Sequence, residues 1–248
     1  MLASLRTARG VLRSLRIYYG DRKRAAAMDA LYGRFVRPGD LVFDIGAHVG
    51  DRVASFRRLG ARVVAVEPQA ALVKVLRFLY RRDANVAIVS AAVGRAPGET
   101  ALMVNRDNPT VSTASMDFIA AARGALGWDG QAWTHTVKVP VTTLDALIVR
   151  HGMPAFIKLD VEGFEGEALA GLSQPIAALS FEFTTIQRDV ALACIARCVA
   201  LGYARFNAAL GESQRWVHGG WIDAAAITRW LTDLPHNANS GDVYASLG

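Results

Sequence analysis

Two acid-bearing stretches of this chain could do chemistry, and each begins where a buried apolar run gives out. The first is Leu41-Val-Phe-Asp-Ile-Gly-Ala-His-Val-Gly50, answered by Arg62-Val-Val-Ala-Val-Glu67 and Pro68. Asp44, Gly46, Ala47, His48 and Gly50 lie at a change from strand-like to helix-like spacing. A strand, a glycine turn and a helix start make the usual place to hold a polar or charged ligand. Glu67 closes the second apolar run about 20 residues after the turn, where an acid suits the two hydroxyls of a ribose. The second stretch is Ala155-Phe-Ile-Lys-Leu-Asp-Val-Glu-Gly163, with Lys158, Asp160 and Glu162 at period-2 spacing toward one face or rim. Glu182, on the apolar run 178–183, could join them. Carboxylates at strand ends could take the proton of a poorly nucleophilic hydroxyl as it reacts, and Lys158 could bind a carboxylate or lower that hydroxyl's pKa.

The glycines narrow the ligand. A dinucleotide fingerprint G-x-G-x-x-G lets the backbone approach a pyrophosphate. Counted from Gly46, its second and third glycine positions hold His48 and Asp51, and a carboxylate there repels phosphate. Asp44 favours cationic character, so S-adenosylmethionine, with its sulfonium, ammonium and ribose diol, fits better than NAD. Ser90, Ala91 and Ala92 are small enough to leave room for an adenine ring. Asn108, Ser112 and Thr113, in a polar segment without pattern, could touch an acceptor or belong to a plain surface loop, and His135 and His48 are alternative bases or structural residues. Asp160 and Glu182 offer the oxygen ligands a divalent ion such as magnesium needs, without a metal signature around them.

The elements that must position these residues alternate. Apolar runs at 41–45, 62–67, 85–93, 155–163 and 178–183 are separated by helical patterns, such as Leu72, Val75, Leu76 and Leu79, which implies parallel strands with right-handed crossovers. Residues 28–36 read as a helix before the first strand. Residues 99–104 could form a strand, 105–133 lack regular pattern, and 137–145 read as a strand and a capped helix. Helices at 189–201 and 222–231 and strands at 203–207 and 242–247 complete an α/β domain over residues 37–248, preceded by a basic helical arm over 1–36.

The 248 residues suffice for one such domain, and no apolar run approaches the ~20 residues that span a bilayer. Cys194 and Cys198 give no disulfide framework and suggest a reducing, cytoplasmic setting. Residues 1–24 carry Arg6, Arg9, Arg13, Arg16, Arg22, Lys23 and Arg24 against the single acid Asp21, which accounts for the whole formal charge of +6. The remainder is neutral and lacks an aromatic–basic interleave, which argues against a nucleic-acid substrate. Arg6, Arg9, Arg13 and Arg16 beside Leu5, Ala8, Leu12, Leu15 and Tyr19 suit a solvated packed helix or peripheral contact with the inner membrane surface, and the composition also resembles an organellar transit peptide.

With these residues in hand, the chain resembles the FkbM family of S-adenosylmethionine-dependent methyltransferases. The resemblance rests on Phe43-Asp-Ile-Gly-Ala-His-Val-Gly50, Val64-Ala-Val-Glu-Pro68, Val141-Thr-Thr-Leu-Asp145 and Ile157-Lys-Leu-Asp-Val-Glu-Gly-Phe-Glu165, in family order. It implies a Rossmann-like, mostly parallel seven-stranded sheet with helices on both faces and an antiparallel last strand. It also implies methyl transfer to a hydroxyl of a sugar, glycolipid or secondary metabolite. By the same resemblance Asp44, Gly46 and Gly50 line the methionine moiety, Glu67 the ribose, and Ser90 to Ala92 the adenosine. An RNA-directed methyltransferase and a non-catalytic cofactor-binding scaffold are the rival readings.

Overall fold

The computed structural model describes the backbone of residues 2–248 and the side chains of residues 7–248, so Leu5 and Arg6 of the expected basic helix lie outside the described side chains. Helices α1 (Leu2–Tyr19) and α2 (Arg22–Tyr32) precede β1 (Leu41–Ile45), α3 (Asp51–Arg58), β2 (Arg62–Val66), α4 (Ala70–Leu79) and β3 (Val86–Val89). An interruption follows, made of β4 (Ala92–Val93), β5 (Gly98–Val104), α5 (Met116–Ala122) and β6 (His135–Thr142). The alternation resumes with α6 (Leu144–His151), β7 (Phe156–Leu159), α7 (Glu165–Ala170), β8 (Ala178–Thr184), α8 (Arg188–Ala200), β9 (Arg205–Leu210), α9 (Ala224–Asp233) and β10 (Ser240–Ser246).

The main sheet has seven strands in the order β3-β2-β1-β7-β8-β10-β9. Neighbours from β3 to β8 run parallel, and β10 runs antiparallel to both β8 and β9. This is the expected Rossmann-like sheet with its last strand reversed. β1 is buried at every position, as a strand covered on both faces must be. One layer sets Phe43, Ile45, Ile157, Leu159 and Phe181 against residues of α6, α8 and α9. The other sets Val42, Val63, Phe156 and Tyr244 against Met28, Leu31 and Tyr32 of α2 and Phe56 of α3. The chain moves outward from β1 to β3 and then returns to β7 on the other side of β1. Open α/β sheets bind ligands where the strand order reverses in this way.

Three local expectations change. The run 85–93 is two strands: β3 leaves the main sheet after Val89, and β4 pairs in parallel with β6 in a separate three-stranded sheet, β4-β6-β5. Segment 105–133 is packed, with a 3-10 turn at Pro109–Val111 and α5 capped by Ser115 Oγ, which accepts from Phe118 N at 3.1 Å. Trp128 and Trp133 both meet Phe118 edge-on. The third change concerns α1: of its expected apolar stripe Leu15 packs, but Ala8, Leu12 and Tyr19 are exposed, and the packed face runs through Val11, Ser14, Leu15 and Tyr18. Val11 inserts beside Val49 and Leu72, and so its face is decided by what the domain offers. The division drawn after residue 36 falls among packed side chains, since Met28, Leu31, Tyr32 and Val36 share a cluster with Val42 and Phe156.

Candidate active site

A cavity of ≈ 290 Å³ opens at the C-terminal ends of β1, β2, β7 and β8. Its wall begins with the turn after β1. Gly46 has φ +84, and a Cβ there would stand 1.8 Å from the Asp160 carbonyl oxygen, so no other residue fits. The N–H groups of Gly46 and Ala47 both donate to Val66 O, at 2.9 and 3.0 Å, which ties this turn to the end of β2. Gly50, at φ +85, caps α3.

Asp44 lies beneath this turn, fully buried, and neither of its carboxylate oxygens has a hydrogen-bond partner among the described residues. Burial pushes its pKa up to about 7, against the pull of Arg52. Glu67 is held differently. Its Oε2 accepts from His48 N at 2.9 Å and its Oε1 from Gln69 N at 2.8 Å, which fixes the carboxylate and leaves each oxygen a free lone pair. Burial raises this group too, to about 7, with the two backbone donors opposing. Beyond Glu67 the wall is apolar, formed by Ala91, Ala92, Val93, Leu102 and Trp128. Ser90 is exposed and does not line the cavity.

The opposite end holds Asp160, Glu162 and Glu182, whose carboxylate oxygens lie within 4.8 Å of one another. Period-2 spacing does not bring them together. β7 stops at Leu159, and Glu162 reaches the cavity through a left-handed turn at φ 54. Thr113 clamps that turn by donating to Glu162 O at 2.6 Å. Burial raises Asp160, but Lys158 and Arg52 outweigh it and hold this carboxyl at about 2. Glu162 and Glu182 go the other way: burial first, and then the charge on Asp160, push both well above the usual carboxylate range. Glu182 Oε2 is buried and has no hydrogen-bond partner among the described residues, so the charge of Asp160 faces two carboxyls whose own ionisation is disfavoured.

Lys158 stands apart from the cavity wall. It is fully buried, with Nζ 2.7 Å from Asp242 Oδ1 and 3.3 Å from Asp160 Oδ2. Thr113 and Asn108 do not line the cavity either, and Asn108 Nδ2 donates to Gln131 Oε1 at 3.3 Å. Ser112 does line it, and its hydroxyl donates to Gln69 Oε1 at 3.2 Å. His135 opens β6 away from the site. His48 lines the cavity, but burial lowers its pKa to about 4 and leaves it neutral.

Arg52, Glu212 and Tyr18 also line the cavity, and the sequence reading did not single them out. Arg52 contacts Asp51 at 3.0 Å, Glu212 at 3.2 Å and Asp160 at 3.9 Å, while Arg24 of α2 bridges Asp51 and Glu212 at 3.2 and 2.9 Å. Tyr18 meets His48 edge-on at 5.3 Å and carries Arg24 over its ring at 4.6 Å. One sequence signal was available: an arginine in the first turn of a helix opposes the helix dipole and needs an anionic partner.

A family model described as the methyltransferase FkbM domain matches residues 44–192, more than half of the chain. The chain belongs to the FkbM methyltransferase family. No curated protein sequence matches it. Among solved structures, it is similar to a precorrin-6Y C5,15-methyltransferase from Geobacter metallireducens at 11% identity and a TM-score of 0.43, covering 91% of this chain and 87% of that one. It is also similar to a TehB-like methyltransferase from Corynebacterium glutamicum at 9% identity and 0.46, covering 89% and 86%. An O-methyltransferase from Bacillus cereus in complex with SAH gives 8% and 0.46, covering 96% and 90%.

This FkbM protein is therefore a methyltransferase whose cofactor is S-adenosylmethionine, and the residues present fit that cofactor. Glu67 is on the cavity wall, where its free lone pairs suit a ribose diol, whereas the unpartnered Asp44 carboxylate lies next to the lining residues Ile45 and Gly46 but not on the wall itself, and acts on a cationic group through its charge. Among the lining residues the acids Asp51, Glu67, Asp160, Glu162, Glu182 and Glu212 stand against Arg52, an excess that remains with Glu162 and Glu182 protonated and favours a ligand of net positive charge.

Proposed function

We propose that this methyltransferase acts on oxygen, moving the cofactor's methyl group to a hydroxyl of a sugar, glycolipid or secondary metabolite with a carboxylate taking the proton. The supporting observation is the cluster of Asp160, Glu162 and Glu182 at one end of the cavity whose other end carries Glu67. The cofactor supplies an electrophilic methyl group on a sulfonium. Asp160, held ionised by Lys158 and Arg52, keeps the acid end negative.

The cofactor's positive charge would favour the ionised form of Glu162 or Glu182, which burial and Asp160 oppose, with the released proton passing to solvent and the carboxylate left as a base. That carboxylate then accepts the acceptor's hydroxyl proton as the oxygen attacks in line. The sulfonium would supply the methyl group to the acceptor oxygen and leave as a thioether, while the hydroxyl proton stays on that carboxylate. Positioning supplies much of the remaining rate.

The test is methyl transfer from labelled S-adenosylmethionine to a panel of hydroxylated glycans, glycolipids and metabolites. Label in a product that survives mild alkali, as an ether does and a methyl ester does not, supports the reading. Label only in amines, carboxylates or RNA overturns it.

A further inference from the structure

The outward faces of α1 and α4 take no part in the chemistry above, and they share a composition. The two helices pack through Val11 and Leu15 on α1 and Leu72 and Val75 on α4, with the hydroxyls of Tyr19 and Tyr80 3.5 Å apart. Their outer sides therefore make one surface. Arg9, Arg13 and Arg16 are exposed on α1, as are Lys74 and Arg77 on α4 and Arg81 and Arg82 in the turn that follows. No acid occurs in α1 or in residues 70–82. None of these seven cations forms an ion pair among the described residues, and together they exceed the chain's formal charge of +6.

Large apolar side chains stand in water among them: Leu12 at 65% exposure, Ile17 at 51%, Phe78 at 65% and Leu79 at 42%. A helix face meant only for solvent mixes charges of both signs and keeps such residues few. Cations that reach outward beside leucine, isoleucine and phenylalanine match the headgroup and acyl boundary of an anionic bilayer. A nucleic acid would answer the cations alone and leave Leu12, Ile17 and Leu79 unexplained. The same two helices border the cavity, through Tyr18 of α1 and Gln69, the N-cap of α4.

We propose that the α1–α4 face docks this methyltransferase on an anionic membrane, and that the acceptor hydroxyl belongs to a lipid headgroup or lipid-borne glycan presented there. The identity of the acceptor rests on the O-methyl reading above, whereas the docking does not.

The experiment uses the full chain with vesicles of phosphatidylcholine alone and vesicles that also contain phosphatidylglycerol, read by co-sedimentation. Binding to the anionic vesicles alone, weakened by salt, is expected. Reversing Arg9→Glu, Arg13→Glu and Arg16→Glu together should reduce it on the order of a hundredfold, at about 1 kcal/mol per cation. Leu12→Ser with Phe78→Ser should reduce it as well. These side chains are exposed, and S-adenosylmethionine titration reports that each variant has folded. No vesicle binding, binding that ignores lipid charge, or binding that survives the charge reversals overturns the docking. RNA binding in place of vesicle binding overturns it too. Docking with no methyl transferred to vesicle-borne hydroxyls keeps the surface and overturns the lipid acceptor. Transfer to soluble hydroxyls alone does the same while sparing the O-methyl reading.

Discussion

Lys158 Nζ lies 2.7 Å from Asp242 Oδ1, a buried ion pair that joins β7 to β10 across the intervening β8. Ser180, fully buried on β8 and in register with Lys158, is small enough to let the lysine cross. The ammonium is also 3.3 Å from Asp160. Lys158 therefore acts on the cavity through Asp160, as a positioning residue. Lys158→Ala leaves Asp242 buried without its partner and should cost about 3–5 kcal/mol in a urea melt. Lys158→Ala with Asp242→Ala should recover part of that loss. In the single variant, where it folds, Asp160 loses its main cationic partner, and the acid limb of the kcat/KM profile should move to higher pH.

Cofactor affinity should depend on pH, with a sign fixed by Asp44 and Glu67, both raised to about 7 by burial. Below that value they are protonated and offer a cation little. As pH rises through 7 they ionise, so S-adenosylmethionine should bind more tightly and then level off. S-adenosylhomocysteine lacks the sulfonium charge and should follow a shallower curve. Parallel titrations from pH 6 to 8 measure both, and identical slopes would remove the charge-based account of the pocket.

Stability of the cofactor-free protein should respond to pH in the opposite sense. A carboxyl held at about 7 when folded and near 4 when unfolded binds more protons in the native state across that interval. Its contribution is therefore greatest at low pH and is lost as pH rises to about 7. Asp44→Asn should flatten that part of the Tm profile, and an unchanged profile would locate the pH dependence elsewhere.

Glu182→Gln keeps the shape of the side chain and removes the proton acceptor. It should lower kcat by about 10²–10⁴, the usual worth of a general base, with S-adenosylmethionine affinity changed far less. Loss of cofactor binding instead of kcat would make Glu182 a binding residue.

Three carboxylates within 4.8 Å are enough for a hard divalent ion, yet Asp160 already faces Lys158 at 3.3 Å and Arg52 at 3.9 Å. Turnover should survive excess EDTA. Activity lost in EDTA and restored by magnesium would assign an ion to Asp160, Glu162 and Glu182.

Much of the sheet was legible because its central strands are buried on both faces and read as mostly apolar runs with acids in or just after them. β1, β2, β7 and β8 are of this kind. The three-stranded sheet was not, because β4 is only Ala92–Val93 and its partner β6 lies over 40 residues away. Asp160 and Glu162 were found by type, but the left-handed turn that brings Glu162 round carries no period. Arg52 and Glu212 lie 160 residues apart, and Tyr18 precedes every motif, so only the folded chain sets them against one cavity. The packed face of α1 was read only in part, through Leu15, because leucines and arginines alternate around the helix, and the surface it meets decides which side is inner.

The most direct test is calorimetric titration of S-adenosylmethionine and NAD into the wild-type protein and Glu67→Ala. Binding of S-adenosylmethionine alone is expected, weakened roughly tenfold to a hundredfold in the variant by loss of two ribose hydrogen bonds of about 1 kcal/mol each. Equal affinity in both proteins, or binding of NAD in its place, would contradict the cavity as the seat of the methyl donor.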